Sequence, residues 1–393
     1  MTRIKNLDTG ISYGLFVMFL THILVHSAGG LYTTLSPLIK NEFNLSIQQI
    51  GMIGAIPALC QFLIGIPSGL ISDRIGPKRI IALSIIMAAV GSFIASISLN
   101  PWVFILALIL VTLNVAIYHP PAFSYTANSV GSQKLSIAMG IISAGGMLGI
   151  TAGPLSITLL MDFFYFSWRQ VYLFWVIPIL LSLIAIFFLK LPTESQTIDE
   201  TLGEKSPSSN LITFDMITFL ISGAIRTIGR SMTVTFLSIY LSENKGWSLG
   251  LIGVLYGVSN LLGVLASPIG GFLGSKFGEK KFMEITLFLS YLLFITTFFT
   301  TNSTMFVILY SSYSFFNLLS LPADSSIIAN LSPKKRRGMG FAISFLPGNF
   351  ARIIAPLMAA YIGKSMGIFT IFLVSSMFHF LGLAVLRFFV KLR

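Results

Sequence analysis

Stretches of twenty or more residues with scarcely a charge recur along this chain, and they limit what it can fold into. About 20 helical residues cross a hydrocarbon core about 30 Å thick. Only helices or closed barrels cross it with every backbone group paired, and barrel strands alternate apolar and polar positions. These stretches do not alternate. Of the 393 residues, 55% are hydrophobic and 10% charged, where a soluble chain carries about 25% charged residues. The fold expected is an all-α polytopic membrane protein.

Twelve transmembrane helices are read, near 12–38, 48–71, 80–99, 101–126, 135–161, 170–190, 213–241, 249–273, 282–301, 303–328, 338–364 and 367–390. The first is too long for a signal peptide, and no small-residue cleavage site follows it. The one extended polar stretch, LPTESQTIDETLGEKSPSSN at 191–210, has the composition of a flexible linker and divides the spans six and six. The domains expected are an N-terminal six-helix bundle (1–190), a cytoplasmic linker (191–212) and a C-terminal six-helix bundle (213–393).

Basic residues fix the expected orientation. Lys78 and Arg79, Lys280 and Lys281, and the run Lys334, Lys335, Arg336, Arg337 all fall on one side, with both chain ends. The opposite loops hold only Lys40, Arg169, Lys245 and Lys364. Both termini are therefore expected in the cytoplasm. The net charge of +12 reads as topological anchors facing anionic lipid, and no nucleic-acid partner is expected. Cys60 is the single cysteine and can form no internal disulfide.

The halves repeat one another. GLISDRIGPKR (69–79) returns as GFLGSKFGEKK (271–281), LSIQQIGMIG (45–54) faces LGLIGVLYG (249–257), and AGPL (152–155) faces IAPL (354–357). Internal duplication of six-span units is a build of secondary transporters, with the substrate site near mid-membrane.

Gly65, Gly69, Asp73, Arg74, Gly76, Lys78 and Arg79 resemble the loop between spans two and three of the major facilitator superfamily, and the resemblance covers the whole chain. It implies two pseudo-symmetric bundles, transport by alternating access, and a cytoplasmic latch made by these residues, with Ser275 replacing the aspartate in the second copy. A narrower resemblance, on THILVH (21–26), NEFNLSIQQIGMI (41–53), YHPPA (118–122), AGPL (152–155) and Arg226, is to the fosmidomycin-resistance branch, which implies proton-coupled efflux. Two carboxylates usual in that branch are absent: His26 stands where the first would be and Pro121 where the second would be.

The superfamily architecture lines the central cavity with spans one, four, seven and ten, and the mid-membrane polar residues fall there. The substrate-binding candidates are His22, His26, Asn114, Tyr118, His119, Arg226, Arg230, Asn317, Asn349 and Arg352. An arginine at the middle of a span costs roughly 2.5–3.5 kcal/mol. Asp215 lies about 16 Å from Arg226 along span seven, which leaves Asp324 as the other carboxylate within plausible reach. A positive cavity calls for an anion, since arginine holds carboxylate or phosphate in a two-pronged fork. His22, His26, His119 and Asp324 are the candidate proton carriers.

The pair His22 and His26 could also contribute to a metal site, but no acid or cysteine lies nearby to complete one, so no metal and no cofactor is expected. Gly145, Gly149, Gly153 and Pro154 read as packing and bending positions of span five. No nucleophile–base grouping suggests an enzyme.

The expected protein is a secondary transporter of the cell (plasma or inner) membrane. It would move a small organic anion, with proton-coupled efflux as the first reading and symport or uniport as the alternative. A non-transporting receptor is the distant one. Its partners would be the substrate, a proton or other coupling ion and the bilayer, with the chain as a monomer.

Overall fold

The computed structural model describes residues 2–129, 135–189, 212–332 and 337–391. Within the helices, the side chains of 2–12, 65, 66, 68–70, 72–74, 127, 128, 135–137, 139 and 337–342 fall outside that description. The described helices are α1 (Thr2–Glu42), α2 (Ile47–Ile75), α3 (Pro77–Ile97), α4 (Pro101–Ser129), α5 (Leu135–Ile157) and α6 (Trp168–Phe187) in the first half. The second half holds α7 (Phe214–Ile239), α8 (Leu249–Phe277), α9 (Glu279–Phe299), α10 (Ser303–Leu319), α11 (Leu321–Leu331), α12 (Arg337–Met366) and α13 (Ile368–Phe389).

Eleven of these spans, with α10 and α11 taken as one, are long and apolar enough to cross a membrane. The twelfth is α7. Its 26 residues reach about 39 Å, but Asp215, Arg226, Arg230 and several Ser and Thr lower its hydropathy. It is long enough to cross a membrane and carries one strongly polar face.

Span ten, expected as one continuous helix, is broken. α10 ends at Leu319, Ser320 joins it to α11, and Pro322 occupies the first turn of α11. Proline is tolerated there because its missing N–H would have no helical partner.

The chain forms two compact units. One comprises residues 1–32 and 60–207, the other 33–59 and 208–393. The segment 33–59, the end of α1 and the start of α2, belongs with the second unit, which the sequence repeat does not foretell. There Lys40 Nζ pairs with Glu243 Oε1 at 2.7 Å, and Ser238 Oγ donates to the Thr33 carbonyl.

The repeat is clearest where helices begin and end. Gly76 (φ 93°) precedes α3 and Gly278 (φ 87°), 202 positions on, precedes α9; a side chain at either would be strained in this backbone region. Asn44 and Gly246 share positive φ at the same spacing, as do Tyr165 and Gly367. Ser46 and Ser248 cap α2 and α8, and Asn100 and Asn302 cap α4 and α10, each oxygen accepting an N–H that the first helical turn leaves without a partner. Lys78 donates to the carbonyls of Phe187 (2.8 Å) and Leu189 (2.9 Å) at the end of α6. Lys280 does the same to Arg387 (3.3 Å) and Val390 (2.7 Å) at the end of α13. A cation at a helix C-terminus satisfies orphan carbonyls and opposes the helix dipole.

Within the first unit, α5 lies against α1 along glycines. A Cβ at Gly145 would fall 2.7 Å from the Phe19 carbonyl oxygen and one at Gly153 2.5 Å from that of Ser27, while one at Gly149 would collide with the Ile23 carbonyl. Backbones this close leave no room for a methyl group. Pro154 closes the seam against Gly30. Gly149→Ala is therefore expected to push α1 and α5 apart and lower stability by about 1–3 kcal/mol. Gly140→Ala, on the same helix with open space around it, is expected to leave the melting temperature unchanged or raise it. Thermal melts of the two purified variants check the contrast.

Candidate functional site

In the first unit the site is built on α1, α4 and α5. His22 and His26, one turn apart on α1, point to His119 of α4. His22 is 3% exposed, and its Nδ1 lies 2.7 Å from the Ile142 carbonyl of α5. His119 Nδ1 lies 2.6 Å from the Val115 carbonyl of its own helix. The Nε2 atoms converge: His22 to His119 at 3.2 Å and His26 to His119 at 3.4 Å. Gly146 backs the His22 ring, where a Cβ would fall 2.8 Å from its Cε1. Tyr118 stacks beside His22, and Phe123 borders both His22 and His119.

These contacts assign tautomers. A carbonyl oxygen only accepts, so Nδ1 of His22 and of His119 each carries a hydrogen. In the neutral form of both rings the Nε2 is then a bare lone pair. Such a cluster can hold a cation, either a proton or a metal ion.

Tyr118 and Asn114 sit deeper than a ligand would reach. Both are fully buried. The Tyr118 hydroxyl donates to the Met18 carbonyl (2.9 Å) and meets Thr21 Oγ1 at 2.8 Å. Asn114 Nδ2 donates to the Val111 carbonyl of its own helix. The Tyr118 hydroxyl thus ties α4 to α1, whereas Asn114 bonds within α4, and neither side chain is exposed in this structure.

In the second unit, α7, α8, α10 and α11 carry the polar groups. Arg226 Nη2 lies 3.1 Å from Asp324 Oδ1, its Nε donates to the Ser222 carbonyl, and Tyr291 of α9 joins the pair. Arg226 thus has as its carboxylate partner Asp324, the one carboxylate that the sequence left within plausible reach. Arg230, one turn on, instead borders a cavity of about 70 Å³ with Thr233, Tyr256, Ser259, Asn260, Tyr310, Tyr313, Ser314 and Asn317. Among the described residues no carboxylate lines it. Arg352, exposed on α12, is near enough to Arg230 for their charges to repel. Asn349 is half-buried on α12.

Tyr256, Ser259, Asn260, Tyr310, Tyr313 and Ser314 were not singled out from the sequence. Their signal was the polar spacing in YGVSN (256–260) and YSSYSFFN (310–317), masked by the surrounding apolar residues. His379 is a packing residue, 1% exposed and stacked on Tyr291 with ring centres 4.6 Å apart.

Of the expected latch, the side chains of Gly65, Gly69, Asp73 and Arg74 lie outside the described residues. Gly76 serves the turn into α3. The Lys78 ammonium is held by the carbonyls of Phe187 and Leu189 at the end of α6. Arg79 is exposed.

Twelve spans, a repeat of helix caps and mid-membrane polar clusters together describe a transporter architecture, and a sequence profile described as Major Facilitator Superfamily matches residues 17–216 and 219–393. The chain belongs to that superfamily. It is a multi-pass membrane protein of a transporter family.

An uncharacterized MFS-type transporter of Bacillus subtilis (strain 168), YqjV, is 27% identical over 148 residues, 38% of this chain and 36% of that relative. The sialic acid transporter NanX of Escherichia coli (strain K12) is 24% identical over 340 residues, 84% of this chain and 82% of the relative. Among solved structures, a bacterial homolog of the human lysosomal transporter Spinster, inward-facing and occupied, aligns with a TM-score of 0.79 at 18% identity. It covers 95% of this chain and 96% of that one, a likeness of fold.

Asp324→Asn removes the counter-charge of Arg226 and is expected to lower the melting temperature. Adding Arg226→Gln is expected to restore part of the loss, giving a coupling of about 1 kcal/mol or more in a double-mutant cycle. Strictly additive effects would show that the two side chains act independently.

Proposed function

We propose that this member of the superfamily is a secondary transporter that exports a small organic anion by alternating access, coupled to protons. Its two chain ends lie in the cytoplasm on this reading, as the distribution of Lys and Arg supports. The observation that carries the anion is the uneven pairing of the arginines. Asp324 serves Arg226, whereas Arg230 borders a cavity lined by hydroxyls and amides, with Arg352 repelling it. Cations at membrane depth are costly, and an anion near Arg230 relieves its charge and the repulsion from Arg352. About 70 Å³ suits a carboxylate or phosphate headgroup held by the Arg230 fork. Tyr310, Tyr313, Asn260 and Asn317 offer the remaining hydrogen bonds.

Asp324 is the coupling carboxylate on this reading. The groups that face it are Arg226 from α7 and Tyr291 from α9. Protonating Asp324 frees Arg226 to join Arg230 in holding the anion, and deprotonation takes it back. Export is the direction we assign because the first-half motifs resemble the fosmidomycin-resistance branch.

A thermal-shift screen of carboxylates, phosphonates and organic cations identifies the ligand class, and flux in proteoliposomes with and without a pH gradient tests the coupling. Arg230→Gln keeps hydrogen-bonding capacity but removes the charge. It is expected to cost about 2–4 kcal/mol of anion binding, about a thirty- to thousandfold rise in Kd. A folded Arg230→Gln protein that binds anions normally, or a wild type that prefers cations, would overturn the anion reading. Anion flux indifferent to the pH gradient would remove protons and leave uniport.

A further inference from the structure

The three histidines of the first unit make a site that the arginine cavity of the second does not use. We propose that His22, His26 and His119 bind one divalent transition-metal ion of the zinc class through their three Nε2 atoms.

Hydrogen bonding alone leaves the cluster short of a partner. Nδ1–H of His22 is given to Ile142 and Nδ1–H of His119 to Val115, so two Nε2 lone pairs face each other at 3.2 Å. Two acceptors at that distance repel. His26 can offer its single N–H to only one of them. Among the described residues no Asp, Glu or Cys joins the group.

A cation between the rings resolves the conflict, and the spacing suits a metal. Zinc bound to imidazole at about 2.0–2.1 Å with tetrahedral angles holds neighbouring nitrogens about 3.3–3.4 Å apart. Two of the three pairs match, at 3.2 and 3.4 Å; the ligating atoms of all three rings fall within 4.8 Å of one another, so His22 and His26 have to draw closer together as they turn onto the ion. The outer contacts fit as well. A ligating histidine typically donates its other ring N–H to a carbonyl or carboxylate, which fixes the tautomer and aims the lone pair. His22 and His119 both do so. Gly146 leaves space for the His22 ring, and Tyr118 and Phe123 wall the cluster with aromatic surface. Three neutral ligands leave the fourth tetrahedral position to water or an anion.

The sequence argued against a metal because His22 and His26 had no acid or cysteine near them. The third donor comes from α4, 93 positions beyond His26, and only the fold brings it there.

The test uses the purified full-length protein, treated with chelator and titrated with ZnCl2 by calorimetry. A single Zn2+ per chain with micromolar or tighter affinity is expected. His119→Gln and His26→Gln should each weaken it by about tenfold or more, with melting curves checking that the variants fold. His26 makes fewer internal bonds and is the safer substitution. Titration with CoCl2 is expected to give the strong visible absorption of tetrahedral Co2+, lost in the same variants. No saturable Zn2+ binding, an octahedral Co2+ spectrum, or undiminished binding by a folded His26→Gln protein would overturn the site and leave the rings sharing a proton. None of these readouts depends on transport, so the metal site and the anion reading stand or fall separately.

Discussion

A polar side chain placed within a bilayer has no water to fall back on, so its partner has to come from the protein or from a ligand. Nearly every feature of this chain follows from that constraint. Hydroxyls of Ser and Thr are spent on carbonyls of the preceding turn, as Thr21 does on Val17 and Thr227 on Gly223. Tyr118 spends its hydroxyl across a helix seam. Arg226 takes the carboxylate of Asp324. Arg230, which borders a cavity, and the converging histidine nitrogens are the groups this pairing leaves facing one another or open space, while a few buried atoms such as Asn114 Oδ1 and the Tyr172 hydroxyl stay without a partner among the described residues.

The duplication separates frame from chemistry. Caps and turns recur 202 positions apart, at Gly76 and Gly278, Asn100 and Asn302, Lys78 and Lys280. The functional side chains do not. The positions that match His22, His26 and His119 in the second half are Ala224, Ile228 and Leu321, and those that match Arg226, Arg230 and Asp324 in the first are Leu24, Ala28 and Ala122. Helix ends are constrained by backbone geometry, which both copies must satisfy alike. Mid-helix positions facing the interior carry no such demand, so each half holds a different chemistry in the same frame.

That division also governs what could be read from the sequence. Span number, the repeat and the two polar clusters were legible because hydropathy and i, i+4 spacing are local. Pairings between helices were not. Asp324 stood out as the one carboxylate within plausible reach of the arginines, but that it serves Arg226 rather than Arg230 depends on where α11 starts after the break at Ser320 and on how far an arginine side chain reaches. Lys78 looked like part of a charged loop motif because nothing local to it reveals the carbonyls of Phe187 and Leu189, more than a hundred positions on.

The contact between His22 Nδ1 and the Ile142 carbonyl ties chemistry to mechanics. That carbonyl belongs to α5, which rides on α1 over bare glycine backbone, and it alone keeps the ring hydrogen on Nδ1. Sliding α5 by an ångström or so would stretch a 2.7 Å bond past hydrogen-bonding range and free the imidazole to move its hydrogen to Nε2. The nitrogen facing His119 would then change from acceptor to donor. The tautomer of one buried ring therefore records where a neighbouring helix stands, and a helix displacement is converted into a reversal of hydrogen-bond polarity without any charge crossing the bundle.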